Sequence, residues 1–206
     1  NRMQEELLTE QKAQFHEEFK VAPVPAGKLS QQYLERIHYM VRSLARTQLP
    51  ALGAMAERIA AEQRAGRKTI VASAGHMVMN YVGRFDDSAW ALNQEVHGTS
   101  ESQMKSFETA PEEALVLRLG QWGLEKSLHE LFQKKRQWVM LVTCENPRPE
   151  SAVPPGYDLR VDYGAPFGDA CVQLEGYPIG ILPASGVMQI AAYETLGVEI
   201  QARQTH

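Results

Sequence analysis

Three side chains have the acid–base chemistry that a proton transfer requires. Glu95 and His97 are two residues apart, and His76 precedes them in the chain. Histidine titrates near neutral pH, and a carboxylate does so when its surroundings raise its pKa, so either can take up or return a proton. Residues two apart share a face on a strand but diverge on a helix, so Glu95 and His97 act together only if their segment is a strand. The alternative is a surface glutamate and surface or capping histidines.

A turn of small residues follows a β-branched run near the middle of the chain. Ser73, Ala74 and Gly75 end this run, and a helical pattern begins a few residues later. Small residues let the backbone approach a ligand, and the first N–H groups of a helix are free to bind an anion. Such turns are common in strand–helix units, so a turn with no ligand is the alternative.

A second turn, Gly120-Gln121-Trp122-Gly123, combines two glycines with an amide and an indole. Glycine permits a close approach of the backbone. Gln121 is suited to hydrogen-bond a hydroxyl-rich ligand, and Trp122 to stack on a sugar face, unless the indole is buried against the helices. Thr143 ends the next apolar run, where its hydroxyl would line the same crevice.

No metal or cofactor is predicted. His76, His97 and a nearby carboxylate lack the ligand spacing of a metal site. Cys144 and Cys171 are the two cysteines, and neither belongs to a Cys-x-x-Cys pair, so they are interpreted as buried free thiols.

The composition excludes several classes of partner. The chain has 206 residues, a formal net charge of −4 and 22% charged residues, with a pI of about 5.9. A mildly acidic chain offers no broad positive field to nucleic acid or to an anionic membrane. No stretch approaches the roughly 20 apolar residues that span a bilayer. A cytoplasmic protein is favoured, although the chain begins at Asn1 rather than Met, so the removal of an upstream segment stays open.

The elements that would position these residues begin with helices. Residues 1–28 are interpreted as an N-terminal helical arm and linker, and residues 29–206 as one domain. Apolar residues recur at three- and four-residue steps from residue 30 to residue 65, and Pro50 interrupts them. This pattern predicts a hairpin of two helices that Gly66 ends.

Strands and helices alternate after that hairpin. Apolar runs predict strands at residues 69–73, 113–119, 138–143, 170–174 and 177–182. Residues 145–160 contain four prolines and are interpreted as a loop, and Ser185 is expected to cap a last helix from 186 to about 196. The alternation predicts an α/β fold, with a doubly wound, mainly parallel open sheet in three αβα layers. Ligands of such sheets bind beyond the C-terminal ends of the strands.

These turns, in this order after a helical hairpin, resemble the SIS (sugar isomerase) domain family over residues 30–201, most closely its phosphoheptose-isomerase-like branch. The matching segments are residues 65–71 with Ser73–His76, residues 115–123, residues 139–143, residues 168–172 and residues 183–186. The resemblance implies that the chain binds a phosphorylated sugar, which members of the family often isomerise between aldose and ketose. It also implies a carboxylate in the region of Glu95 and a homodimer or homotetramer, with Ser185 at the start of the closing helix.

The sequence departs from the family where phosphate would be bound. Met77 stands where the first turn of the family has a serine, and residues 120–123 have no hydroxyl. Each lost charge-assisted hydrogen bond is worth about 1.5–3 kcal/mol. The second interpretation is therefore a non-catalytic sugar- or sugar-phosphate-binding or regulatory module, and the third is a structural subunit assembled through its N-terminal arm.

Overall fold

The computed structural model of the chain describes residues 23–67, 69–74, 94–97, 100–110, 112–120, 126–143, 159–166, 169–177 and 180–204. The helices are α1 (Lys28–Arg64), α2 (Ser100–Thr109), α3 (Lys126–Lys134) and α4 (Ser185–Gln204). The strands are β1 (Thr69–Ala74), β2 (Gln94–His97), β3 (Leu115–Gly120), β4 (Trp138–Thr143) and β5 (Leu159–Asp162). Residues 1–22 of the predicted arm lie outside the described residues, as does the helix predicted near residues 77–85.

The strands form one parallel sheet in the order β2-β1-β3-β4-β5. Strand β3 is buried along its whole length, as expected of a parallel strand covered on both faces. The chain leaves β1 toward β2 on one side and later returns to β3 on the other. The predicted doubly wound parallel sheet is therefore confirmed, and its order reverses at β1, where such sheets bind their ligands.

Two hydrophobic clusters lie on opposite faces of the sheet. Each packs the sheet against a layer of helices, which gives three layers in total. Val71 of β1 packs in the cluster that contains α1 and α4. Its neighbours Ile70 and Ala72 pack in the other cluster, with Phe107 of α2 and Phe132 of α3. Successive residues of a strand face opposite sides of the sheet, so one apolar run contributes side chains to both clusters. The predicted αβα layering is confirmed.

The predicted N-terminal hairpin is wrong, because Lys28–Arg64 is one continuous helix that contains Pro50. It begins after Gly27 rather than at Ser30, and Gly66, with φ of 67°, follows its end. A proline inside a helix removes one hydrogen bond and costs about 3 kcal/mol. Burial outweighs that cost here, because residues on both sides of the proline pack in a single core: Met40, Leu44, Leu52 and Met55.

Two segments that looked irregular contain regular structure. Residues 86–110, which show no clear period, include β2 and α2. The proline-rich loop predicted at residues 145–160 ends in β5, an edge strand of which only Val161 is fully buried. A strand at the edge of a sheet needs few apolar residues and tolerates nearby prolines, so its signal in the sequence is weak.

The two strands predicted at residues 170–174 and 177–182 are absent from this described part of the chain. A single antiparallel bridge joins Val172 to Ile181 instead. Left-handed backbone at Gly176 (φ 78°) and Leu182 (φ 64°) bends the segment and prevents a longer ladder. The last helix is longer than predicted and reaches Gln204.

A buried carboxylate holds the end of α1 at the edge where the strands begin. Glu62 is 2% exposed, and both of its oxygens accept hydrogen bonds from the guanidinium of Arg67. Arg58 lies 2.9 Å from the same carboxylate and covers the ring of Trp138, the first residue of β4, at 4.0 Å. The hydrogen bonds from Arg67 lower the pKa of Glu62 against the opposing effect of burial, and Arg58 lowers it further.

We expect Glu62→Gln to remove a pH-dependent part of the stability. Because the pKa of Glu62 is depressed in the folded state, its contribution is complete above the unfolded pKa and disappears as the pH falls through the folded one. The variant should lose about 1–3 kcal/mol of unfolding free energy at pH 7, and the difference from wild type should shrink below about pH 4. Urea unfolding at both pH values measures this.

Glu57→Gln is the matched control, because Glu57 is on the same helix as Glu62 and also pairs with two arginines, Arg64 of α1 and Arg203 of α4, but its side chain is 63% exposed. Its loss should stay below about 1 kcal/mol. Equal losses for the two variants would contradict the role given to burial.

Candidate functional site

Four of the residues predicted to bind a ligand lie at the C-terminal ends of neighbouring strands: Ser73, Ala74, Gly120 and Thr143. Ala74, the last residue of β1, is in register with Gly120, the last residue of β3. Leu119 is in register with Val142 of β4, so Thr143 lies level with Gly120. The backbone therefore brings the starts of all three predicted turns to one edge, at the point where the strand order reverses.

The condition for Glu95 and His97 to act together is met, because their segment is strand β2. Glu95 is in register with Val71, and His97 with Ser73 at the end of β1. Two residues apart on a strand, they occupy the same face of the sheet. His97 thus lies at the C-terminal edge beside the first turn, and Glu95 lies two positions before that edge.

Several predicted site residues lie outside the described residues: Gly75, His76, Gln121, Trp122 and Gly123. Their roles stay predictions. Within the described part of the chain, no group of three or more His, Cys, Asp or Glu is arranged to hold a metal ion.

The structure adds two residues to this edge that the sequence did not indicate. Tyr163, directly after β5, is fully buried, and its hydroxyl donates to the carbonyl oxygen of Gly120 at 3.1 Å. The amide of Gln189 on α4, also fully buried, donates through Nε2 to the same hydroxyl at 2.9 Å. A buried tyrosine needs a polar partner, but the local sequence does not say which.

The last helix begins against a carboxylate from an earlier loop. Asp169 Oδ1 accepts from the backbone N–H groups of Ala184 (2.9 Å) and Ser185 (2.6 Å), and Ser185 Oγ donates to Asp169 Oδ2 at 2.8 Å. The prediction that Ser185 caps the helix is wrong, because Ser185 is its first residue and Asp169 satisfies the free N–H groups. A ligand could contact the Ser185 hydroxyl only if this buried pair opened.

The N-terminal part of α1 also contacts the segment that immediately precedes α4. The hydroxyl of Tyr33 donates to the carbonyl of Pro183 at 2.8 Å, and burial, with smaller contributions from Cys171 and Asp169, raises the pKa of Tyr33. Cys171 is a free thiol that donates to Leu182 at 3.2 Å. Burial is the main cause that raises its pKa, so it is a poor nucleophile at neutral pH.

Comparison with known proteins finds no matching family model and no match among curated protein sequences. Solved structures do match. A candidate phosphosugar isomerase involved in capsule formation from Bacteroides fragilis has a TM-score of 0.61 and 19% identity, over 85% of this chain and 89% of that chain.

Two further structures share the fold. The sugar isomerase domain of the RpiR transcription factor from Sphaerobacter thermophilus has a TM-score of 0.56 and 15% identity, over 86% of this chain and 90% of that chain. A phosphoheptose isomerase from Francisella tularensis has a TM-score of 0.51 and 12% identity, over 83% of this chain and 96% of that chain.

The sheet order just described defines an open α/β protein, a class whose ligands bind beyond the C-terminal ends of the strands where the order reverses. Within that class, the chain has the fold of the sugar isomerase domain. The predicted resemblance is thus confirmed at the level of the fold, and its structural neighbours include a phosphoheptose isomerase.

We expect Asp169→Ala to lower the unfolding free energy by about 1–2 kcal/mol, because it leaves the first N–H groups of α4 without an acceptor. Alanine is also strained at the left-handed φ of 53° at this position. Chemical denaturation measures the loss.

Asp169→Asn is the matched control, since asparagine tolerates this backbone conformation and keeps one carbonyl acceptor. It should lose less stability than the alanine variant. An alanine variant as stable as wild type would show that α4 does not depend on this carboxylate.

Proposed function

We propose that the crevice beyond β1 and β3 binds a phosphorylated sugar and that the chain isomerises it between aldose and ketose. The main support is the meeting of small residues on neighbouring strands, Ala74 level with Gly120, at the edge where the strand order reverses. Small residues at the end of a strand let backbone N–H groups come close to a phosphate. The descriptions of two structural neighbours, as a candidate phosphosugar isomerase and a phosphoheptose isomerase, also support this class of ligand.

The proposed ligand contacts combine hydroxyls with backbone. Ser73 and Thr143 supply hydroxyls at the ends of β1 and β4, and the turns that begin at Ala74 and Gly120 supply N–H groups. Gly75, Gln121, Trp122, Gly123 and Ser185 complete the proposed set on sequence grounds alone.

Glu95 and His97 are the proposed acid–base pair, with His76 as a third candidate. Isomerisation needs one group that takes a proton from the carbon next to the carbonyl and one that returns a proton to the neighbouring carbon. Support comes from their common face on β2 and from the register of His97 with Ser73. No cofactor takes part in this chemistry.

A non-catalytic binding module is the second candidate. It is favoured by the absence of hydroxyls from residues 120–123 and by Met77 in the first turn, and one structural neighbour is the sugar isomerase domain of a transcription factor. Such a module would bind a sugar or a sugar phosphate without turnover.

A thermal-shift screen against sugar phosphates, the matching free sugars and inorganic phosphate tests the proposed ligand. A ligand at 100 times its Kd adds about 2.7 kcal/mol, which should raise Tm by roughly 5–10 °C for a domain of this size. We expect a shift with at least one sugar phosphate and a smaller one with its free sugar. No shift with any phosphate would contradict the proposal.

The same sugar phosphate then separates the two candidates. If the chain is an isomerase, Glu95→Gln and His97→Asn should each lower kcat by about 10²–10⁴ and leave the Kd within about threefold. Glu112→Gln, at an exposed turn before β3, serves as the control with unchanged kcat. Binding by the wild type with no turnover would favour the non-catalytic module.

We further propose a homodimer or homotetramer that buries the outer face of α1. This face carries exposed apolar side chains, Leu34, Val41 and Leu49, of which Leu34 is 64% exposed. Leu34 and Val41 are seven residues apart and so lie on one stripe of the helix. A partner chain would remove this apolar surface from water.

Sedimentation velocity tests this assembly. The wild type should sediment as an oligomer, and Leu34→Glu combined with Val41→Glu should shift it to the monomer, because two buried charges without partners weaken an interface by several kcal/mol. Val198→Glu, equally exposed but on α4, is the control. A monomeric wild type would contradict the proposal.

Two other predictions from the sequence are retained as proposals. The division into an arm at residues 1–28 and a domain at residues 29–206 is one, and a cytoplasmic location is another. In the described residues, no helix has both the length and the apolar character needed to cross a membrane.

A further inference from the structure

The carbonyl of Gly120 has an unusual partner for the end of a strand. The pairing of β3 with β4 ends at Leu119 and Val142, so Gly120 lies one residue beyond that ladder. Its carbonyl accepts from the hydroxyl of Tyr163 at 3.1 Å instead. Tyr163 directly follows β5, so its side chain reaches across β4 to the end of β3.

The direction of each hydrogen bond in this group is fixed by chemistry. A carbonyl only accepts, so the single proton of Tyr163 must point at Gly120. Toward Gln189, the phenolic oxygen can then act only as an acceptor, and the Nε2 of Gln189 donates to it at 2.9 Å. Because Tyr163 and Gln189 are both fully buried, water does not compete for these bonds.

We propose that Gln189 and Tyr163 are positioning residues, and that their two hydrogen bonds form a relay which fixes the carbonyl of Gly120 at the start of the ligand-binding turn. As a claim about ligand binding, this inference rests on the function proposed above. The relay joins three elements that are distant in sequence: α4, the end of β5 and the end of β3. Neither residue needs to touch the ligand for this role, which is to hold the backbone from which the turn begins.

The relay gives the ligand site a dependence on helix α4. Gln189 lies one helical turn after Ser185, and Asp169 holds Ser185 through two hydrogen bonds. The side-chain amide of Gln189 is therefore carried by a helix whose first turn is anchored. Loss of the Tyr163 hydroxyl would leave a buried carbonyl and a buried amide without these partners. The end of β3 would then lose the hydrogen bond that Tyr163 donates to it.

Hydrogen exchange tests the relay without any ligand. In Tyr163→Phe, the backbone amides of Leu119 and Gly120 should exchange about three- to tenfold faster than in wild type, because the strand end opens more often. Tyr193→Phe is the matched control, since it removes the same atom from a buried tyrosine in the same core. Equal exchange in Tyr163→Phe and wild type would overturn the proposal.

Gln189→Glu supplies a second variant whose effect has a distinctive pH dependence. An ionised carboxylate cannot donate, so it competes with Gly120 for the proton of Tyr163 and reverses the relay. A buried carboxyl has a raised pKa, and once protonated it donates as the amide does. The ratio of exchange rates, variant to wild type, should therefore fall toward one between about pH 7 and pH 5.

The other ionisable groups near this position do not produce the same profile. Asp169, a loop residue whose carboxylate contacts Ser185 at the start of α4, is present in both proteins, so its effect cancels in the ratio. A purely structural loss in Gln189→Glu would give a ratio that does not change with pH.

Affinity for inorganic phosphate, and for any sugar phosphate that shifts Tm in the screen, completes the test. We expect Tyr163→Phe and Gln189→Glu at pH 7 to weaken binding about three- to tenfold, with Tyr193→Phe unchanged. If the exchange rates change but no phosphate binds the wild type, the relay stands and the proposed function fails. If phosphate binds and neither exchange nor affinity responds to these variants, the relay is refuted while the proposed function stands.

Discussion

The requirement to cover both faces of a parallel sheet determines most of this structure. Parallel strands are joined by crossovers, and their apolar residues alternate between two sides, so each side needs its own helical layer. Here α1 and α4 cover one face, and α2 and α3 cover the other. The uninterrupted course of α1 follows from this requirement, because its two halves share one core with α4.

The two edges of the sheet differ in character. Where the strands begin, Glu62 and its arginines pack the end of α1 against the start of β4. Where they end, Tyr163 donates a hydrogen bond to the carbonyl of Gly120, and the last residues of β1 and β3 are the small residues Ala74 and Gly120. Charge pairing therefore stabilises one edge, and the other is the edge at which a ligand is proposed to bind.

Local signals explain which parts could be predicted from the sequence. The bounds of β4 were predicted correctly, and those of β1 and β3 to within one or two residues, because each is an apolar run between clear breakers. The helix across Pro50 was not predicted, since its continuity depends on packing against α4, more than a hundred residues later. The relay was also missed, because the hydroxyl of Tyr163 and the carbonyl of Gly120 are 43 residues apart in the chain. His97 and Glu95 were recognised as candidates, but only the pairing of β2 with β1 put them on one face.

The support that Gly120 receives from a distant tyrosine has a consequence for sequence divergence. When a residue outside a turn fixes the position of its first residue, the side chains within the turn are not needed for that purpose. They can then change over evolutionary time without disturbing the strand on which they begin. A loop that has an amide and an indole and no hydroxyl is one outcome that such freedom permits, and in general it allows a new ligand preference to arise on an unchanged framework.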